Sequence, residues 1–114
     1  MLDLAMRAIQ ASLDGLAARQ RLIAENLANV DTPGYLAARV SFEDSLVEAL
    51  KDGAPETTAI NATHSLDPTR MNGNNVNVDD ENVLLIETGL RFQLAVESMN
   101  NKFRILHQSI RRDT

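Results

Sequence analysis

Asn29-Val30-Asp31-Thr32-Pro33-Gly34-Tyr35 decides how this chain folds. Pro33 fixes its own φ and pushes Thr32 out of the helical region. Pro-Gly suits the two central positions of a type II turn, where Gly34 tolerates positive φ. The side chains of Asp31 and Thr32 can bond to nearby backbone and reinforce the turn. A helix that reaches this point stops here.

Upstream, such a helix is written plainly. Leu2, Ile9, Leu16, Ile23 and Val30 recur every seven residues, and Met6, Leu13 and Leu27 fall four residues after members of that series. The result is a stripe of 3–4 spacing, interrupted at Gln20. A helix over 2–30 would be about 43 Å long, too long for a chain of 114 residues to cover by itself. Gly15 is a weak point, costing up to about 1 kcal/mol relative to Ala. Gln20 either fixes register as a buried amide or lies at a partly open position.

Downstream the pattern changes. Ser41 followed by Asp44 predicts a helix start of the capping-box kind. Phe42, Leu46, Val47 and Leu50 share a face, and Gly53 is a stop. Residues 54–74 are polar, hold Pro55, Pro68 and Gly73, and read as a loop or mobile segment with at most a little extended structure. Val76 and Val78 alternate with polar neighbours, as in a short extended stretch. Asp79-Asp80-Glu81 then places acid at a helix N-terminus, where the dipole favours it.

The last helix is expected to run to about Arg112, roughly 50 Å. Leu85, Gly89, Phe92, Val96, Met99, Phe103, Leu106 and Ile110 form a heptad seam along it. Met6 and Met99 read as gap fillers in a core. Val83, Ile86, Leu90 and Leu94 form a second apolar stripe, displaced around the helix. A two-helix hairpin needs one apolar face, so the second stripe needs another cover. The expected fold is mainly α: long terminal helices paired as an antiparallel coiled-coil-like unit, with a short helix and an irregular loop between. Residues 1–35, 36–78 and 79–114 are three segments of one structural domain. Because long helices need partners, the isolated chain is expected to be only partly ordered.

Composition narrows the function. Hydrophobic residues make up 44% and aromatics only 4%, so aliphatic side chains and Ala must do the packing. A formal charge of -5 argues against nucleic acid. Arg111-Arg112 reads as the usual complement of a helix C-terminus. With no Cys there is no disulfide, thiolate nucleophile or Cys-ligated zinc. No apolar run reaches the length of a membrane span. The N-terminus lacks the zones of a cleaved signal, so any export is expected to need none.

Catalytic chemistry is not written here, and no cofactor or small-molecule substrate is expected. His64 and His107 have neither Cys partners nor a His-Glu-x-x-His context. Glu43, Asp44 and Glu48 read as a solvated helix face rather than an acid/base pair. Asn61-Ala62-Thr63 matches a glycosylation sequon, a pattern that arises often by chance.

The stretch Ala24-Glu25-Asn26-Leu27-Ala28-Asn29-Val30-Asp31-Thr32-Pro33-Gly34-Tyr35 resembles the motif of flagellar axial proteins, the rod, hook and hook-associated subunits. In that family an N-terminal helix ends in an Ala-Asn-x-x-Thr-Pro-Gly-Tyr turn, and a C-terminal helix returns to pair with it. The resemblance covers roughly residues 5–40 and 73–111. It leads to the proximal rod, because the chain is short, Asp31 stands where relatives more often have Asn, and the C-terminal half fits. There, Asn74-Asn75-Val76-Asn77-Val78-Asp79, Leu90-Arg91-Phe92-Gln93 and Asn101-Lys102-Phe103-Arg104-Ile105-Leu106 resemble a pattern of Asn-Asn-Val-Asp, Leu-Arg-Tyr-Gln and Lys-Phe. Phe92 keeps the ring of the usual Tyr and loses its hydroxyl. Asn77 replaces no critical group that the pattern identifies.

The resemblance implies a structural subunit exported unfolded through the flagellar type III apparatus. It implies a hollow helical rod that transmits torque, with the paired helices around the channel. The implied partners are other copies of the chain, other rod proteins, FliE, the basal ring and the export gate. The implied motif residues are Asn26, Asn29, Asp31, Thr32, Pro33, Gly34 and Tyr35. A second branch of proximal rod subunits is the alternative, disfavoured by Asp31 and the Lys-Phe ending. A free helical adaptor accounts for both stripes but not for the turn.

Overall fold

The computed structural model describes residues 3–112. Helix α1 spans Leu4–Ala28. Asp3 caps it, its Oδ1 accepting the Met6 N–H at 2.7 Å. Leu2 of the expected stripe lies outside the described residues. At the other end Asn29 closes the helix, its Nδ2 donating to the Glu25 carbonyl at 2.8 Å and so satisfying one of the last open acceptors.

The middle of the chain is the expected short helix and irregular segment, and its little extended structure is a two-stranded pairing. Strand β1 (Ala38–Ser41) pairs antiparallel with β2 (Asn61–His64), Ala38 opposite His64 and Ser41 opposite Asn61. Between them lie α2 (Glu43–Lys51) and a single 3-10 turn at Pro55–Thr57. The Ser41–Asp44 capping box does not form: Ser41 closes β1, and the N-cap of α2 is Phe42, with no side-chain cap. Phe42 is instead drawn into the core. Gly53 does stop α2, at φ +71°.

Helix α3 covers Val78–Arg112, so Val78 opens the helix rather than extending a strand. Asn77 is its cap, Oδ1 accepting from the Asp79 N–H at 3.0 Å and the Asp80 N–H at 3.3 Å. That is the role the resemblance left blank.

α1 and α3 run antiparallel. Lys102 Nζ lies 4.0 Å from Asp3 Oδ2 at one end, and Asn26 Nδ2 donates to Glu81 at the other. Half-buried Gln20 sits opposite Gly89, where a Cβ would come 3.9 Å from its Nε2. Two faces of α1 are covered. Met6, Leu16 and Ile23 are buried along the expected stripe, with Ile9, Leu13, Leu27 and Val30 half-buried. Ala11, Gly15 and Asn26 are buried as well. The core joins Leu16, Val40 and Phe42, with Leu22, Leu46, Phe92 and Ala95 packed against it. Arg19 stacks over the Phe42 ring at 5.0 Å and donates to the Val40 carbonyl at 2.9 Å. Arg7 anchors the 3-10 turn through Glu56 and the Gly53 carbonyl.

The seam on α3 is corrected in two ways. Thr88 and Met99 are buried and Phe92, Ala95, Val96 and Lys102 half-buried, while Leu85 is 38% exposed. The contact is centred toward 88, 95 and 102 rather than 89, 96 and 103. Phe103, Leu106 and Ile110 lie on about 15 Å of helix that runs past the described start of α1 and are exposed. The molecule is accordingly elongated, 67 × 26 × 15 Å. No described helix is long and apolar enough to cross a membrane.

This shape localises the expected partial order. In dilute protein, amide exchange should be fast over 104–112 and slow over α1 and 84–99. Equally strong protection to residue 111 in a proven monomer would contradict an uncovered overhang.

Candidate functional site

The sequence places short polar residues on both sides of the turn, and the fold brings them together between the end of α1 and the start of α3. Asn26 is fully buried at the centre. Its Nδ2 donates to the Ala38 carbonyl at 2.9 Å and to Glu81 Oε2 at 3.0 Å. Its Oδ1 accepts the Ala38 N–H at 2.8 Å and the Tyr35 hydroxyl at 3.2 Å. One amide therefore replaces a missing strand along the edge of β1 and reaches both the turn and α3. No other side chain of this size offers two donors and a two-fold acceptor.

Glu81 is the second centre. The run Asp79-Asp80-Glu81 does sit in the first turn of α3, yet Glu81 is fully buried rather than solvated. Its Oε1 receives Arg39 Nη1 at 2.6 Å while Oε2 receives Asn26. Removing one partner of a buried ion pair typically costs about 3–5 kcal/mol, because the other charge stays desolvated. Here Arg39 keeps a third of its side chain in water, so the strain of an orphan falls mostly on Glu81.

Asn74 fastens the turn from the other side. Its Nδ2 donates to the carbonyls of Asn29 and Thr32 at 2.9 and 2.8 Å. Arg70 Nη2 reaches the Val30 carbonyl at 2.6 Å and Asn74 Oδ1 at 2.9 Å. Asn75 accepts the Ala37 N–H at 2.7 Å and donates to the Ser65 and Asp67 carbonyls. The loop 65–75 is thereby stitched to the turn. Within the turn, the Tyr35 N–H bonds to the Thr32 carbonyl at 3.2 Å and Gly34 has φ +75°, as a type II turn requires. The Gly34 N–H donates to the Asn72 carbonyl at 2.8 Å. Partial burial, with the charges of Glu25 and Glu81, raises the Tyr35 phenol above its ordinary value, keeping it a neutral donor.

The expected motif residues thus divide. Asn26, Asn29, Thr32, Gly34 and Tyr35 are wired into this joint, while Asp31 and Pro33 are exposed at its rim. Val83, Ile86, Leu90 and Leu94 form an outward row on α3, each about two-thirds exposed. The reading by pattern missed Arg39, Arg70 and Glu81 as members of the joint. Periodicity cannot find them, since their partners lie far along the chain.

The three acids read as a solvated face are all exposed, and Glu43 is in addition ion-paired. Its Oε2 accepts Arg19 Nη2 at 3.0 Å. Partial burial would raise its carboxyl, but the hydrogen bond and charge of Arg19, with the N–H groups of Glu43 and Phe42, outweigh that and hold it below the ordinary value. A lowered folded-state value means the stabilisation is present above the ordinary value of 4.5 and lost as pH falls through the folded one. Denaturant titrations of wild type and Glu43→Gln should converge as pH drops below that value. Curves that stay parallel would exclude the pair as a stabiliser.

Among the described residues, no three His, Cys, Asp or Glu side chains cluster so as to hold a metal ion. No buried side-chain polar atom described lacks a hydrogen-bond partner. The joint therefore spends its hydrogen-bonding capacity internally, fixing the end of one long helix to the start of the other.

Comparison with known proteins agrees in kind. Residues 2–35 match a family described as "Flagella basal body rod protein". The chain is 38% identical over 101 residues to the flagellar basal body rod protein FlgB of Bacillus subtilis (strain 168), covering 77% of this chain and 78% of that one. It is 26% identical to FlgB of Escherichia coli (strain K12) over 90% of each chain. FlgB of Borrelia hermsii is 31% identical, over 81% of this chain and 84% of its own.

Proposed function

This chain belongs to the FlgB family of flagellar basal body rod proteins, and from that premise we propose that it is exported by the flagellar type III apparatus and assembles helically into the proximal rod, where it carries torque. The family is one of structural rod proteins, not of enzymes. Its associations are with other rod and basal-body proteins; contacts with FliE, the basal ring and the export gate, and a periplasmic position reached without a cleaved signal, belong to the proposal.

The observation that supports this reading is the buried joint. A torque-bearing subunit needs its two long helices to move as one body. The Asn26–Glu81–Arg39 cluster and the Asn74 clamp tie them at one end, and the apolar contact continues to Met99. The uncovered row Val83, Ile86, Leu90 and Leu94 then remains for neighbouring subunits.

Basal bodies purified from a strain lacking this gene, complemented with wild type or Leu94→Glu, test the proposal. Wild type should restore motility and appear in the rod. Leu94→Glu should be exported yet fail to build rods, since a charge on an exposed residue spares the fold but spoils an apolar contact. A motile deletion strain would overturn the rod assignment; normal motility with Leu94→Glu would overturn the role of the second stripe.

A further inference from the structure

Two apolar surfaces of this chain complement each other but cannot meet within one molecule. The first is a groove of about 410 Å³ between α1, α2 and α3, its walls including Ile9, Leu16, Leu46, Val47 and Leu94. Val47 and Leu94 are half or more exposed. The second is the end of α3 that runs past the described start of α1, where Phe103, Leu106 and Ile110 line up at helical spacing and are exposed.

The overhang cannot reach its own groove. Leu94 and Ala95, which help form the groove, lie on the same continuous helix, and Leu106 is about 18 Å further along it than Leu94. Charge favours a match between copies. Among the described side chains the overhang carries Arg104 and Arg111 and no acid, in a chain of net charge -5. The α2 rim carries Glu43, Asp44 and Glu48, with Asp52 at its end; Glu43 is paired with Arg19, Glu48 with Lys51 and the groove's Arg91 with Glu87, which leaves the balance of the rim acidic through Asp44 and Asp52.

We infer that the α3 overhang of one copy lies in the α1–α2–α3 groove of the next, its apolar side chains on Leu46, Val47 and Leu94 and its basic residues against α2. This deepens, and rests on, the reading of the chain as an assembling rod subunit. It is a helix-in-groove contact. Because groove and overhang are different surfaces of the same chain, the contact is heterologous and leaves a free groove and a free overhang after every addition. Such an interface extends rather than closes, which is what a helical rod needs.

The chain has no Cys, so paired cysteines report the contact directly. Purified full-length Val47→Cys and Leu106→Cys, each checked for native circular dichroism, are oxidised mildly alone and as a mixture, at high concentration. The mixture should yield several-fold more disulfide-linked dimer than either variant alone, and the yield should fall as salt is raised. Dimer from the mixture no greater than from the single variants, or dimer dominated by Leu106→Cys with itself, overturns the contact. Presence of wild type in purified basal bodies tests the rod assignment separately. A chain found in rods whose mixture does not cross-link loses this interface and keeps that assignment.

Discussion

Asn26→Ala is expected to destabilise the chain by about 3–5 kcal/mol, a large share of what a domain of this size typically has. The substitution strands the buried Ala38 N–H, removes one donor from the fully buried Glu81 and leaves a small void. An unsatisfied buried group costs about 1–3 kcal/mol, more when it is charged. Denaturant unfolding followed by circular dichroism measures the loss. Asn26→Asp sharpens the test, because it keeps the shape and replaces a donor by an anion facing Glu81 Oε2. Burial beside a like charge raises the folded-state value of the new carboxyl. Its contribution is then present at low pH and lost as pH rises through that raised value, so this variant should recover stability on acidification. A loss below about 1 kcal/mol for Asn26→Ala, or no acid recovery for Asn26→Asp, would remove the amide from the centre of the joint.

Gly15→Ala should destabilise as well, against the helix-propensity scale. Propensity alone predicts a gain of up to about 1 kcal/mol. A Cβ at Gly15, however, would stand 2.5 Å from two ring carbons of Phe42. The ring is held by Leu16 and Val40 in the core and by the Arg19 guanidinium above it, so it cannot swing aside cheaply. Overpacking of this kind costs typically about 1–3 kcal/mol, enough to reverse the sign. In the Phe42→Leu background the same change should become neutral or favourable. A stabilising Gly15→Ala in the wild type would show that the close approach is not needed.

These two residues also mark how far the chain could be read by pattern. Asn26 was legible as part of a motif, and Gly15 only as a flaw in a helix. The two long helices, the turn between them and the outward stripe on α3 were all visible, because each depends on spacing over a few residues. The pairing of the short strands β1 and β2 was not, beyond the expectation of a little extended structure in 54–74. They are only four residues each, and β1 is completed on its α1 side by Asn26 and Arg19 rather than by another strand. The rotated seam was also hidden, since Thr88 and Ala95, which it buries or half-buries, are poor hydrophobic markers.

By itself, then, the sequence of this rod-family chain determined where its helices run, where the first one stops and that α3 carries more apolar surface than one partner can cover. Helical periodicity and the conformational limits of Pro and Gly are local, so they need no knowledge of distant residues. Only the tertiary structure decided that the motif around Asn26 is a buried joint with Glu81 and Arg39, and that Phe103, Leu106 and Ile110 run past the described start of α1. Those outcomes depend on which distant side chains arrive at hydrogen-bond distance and on the relative lengths of two packed helices.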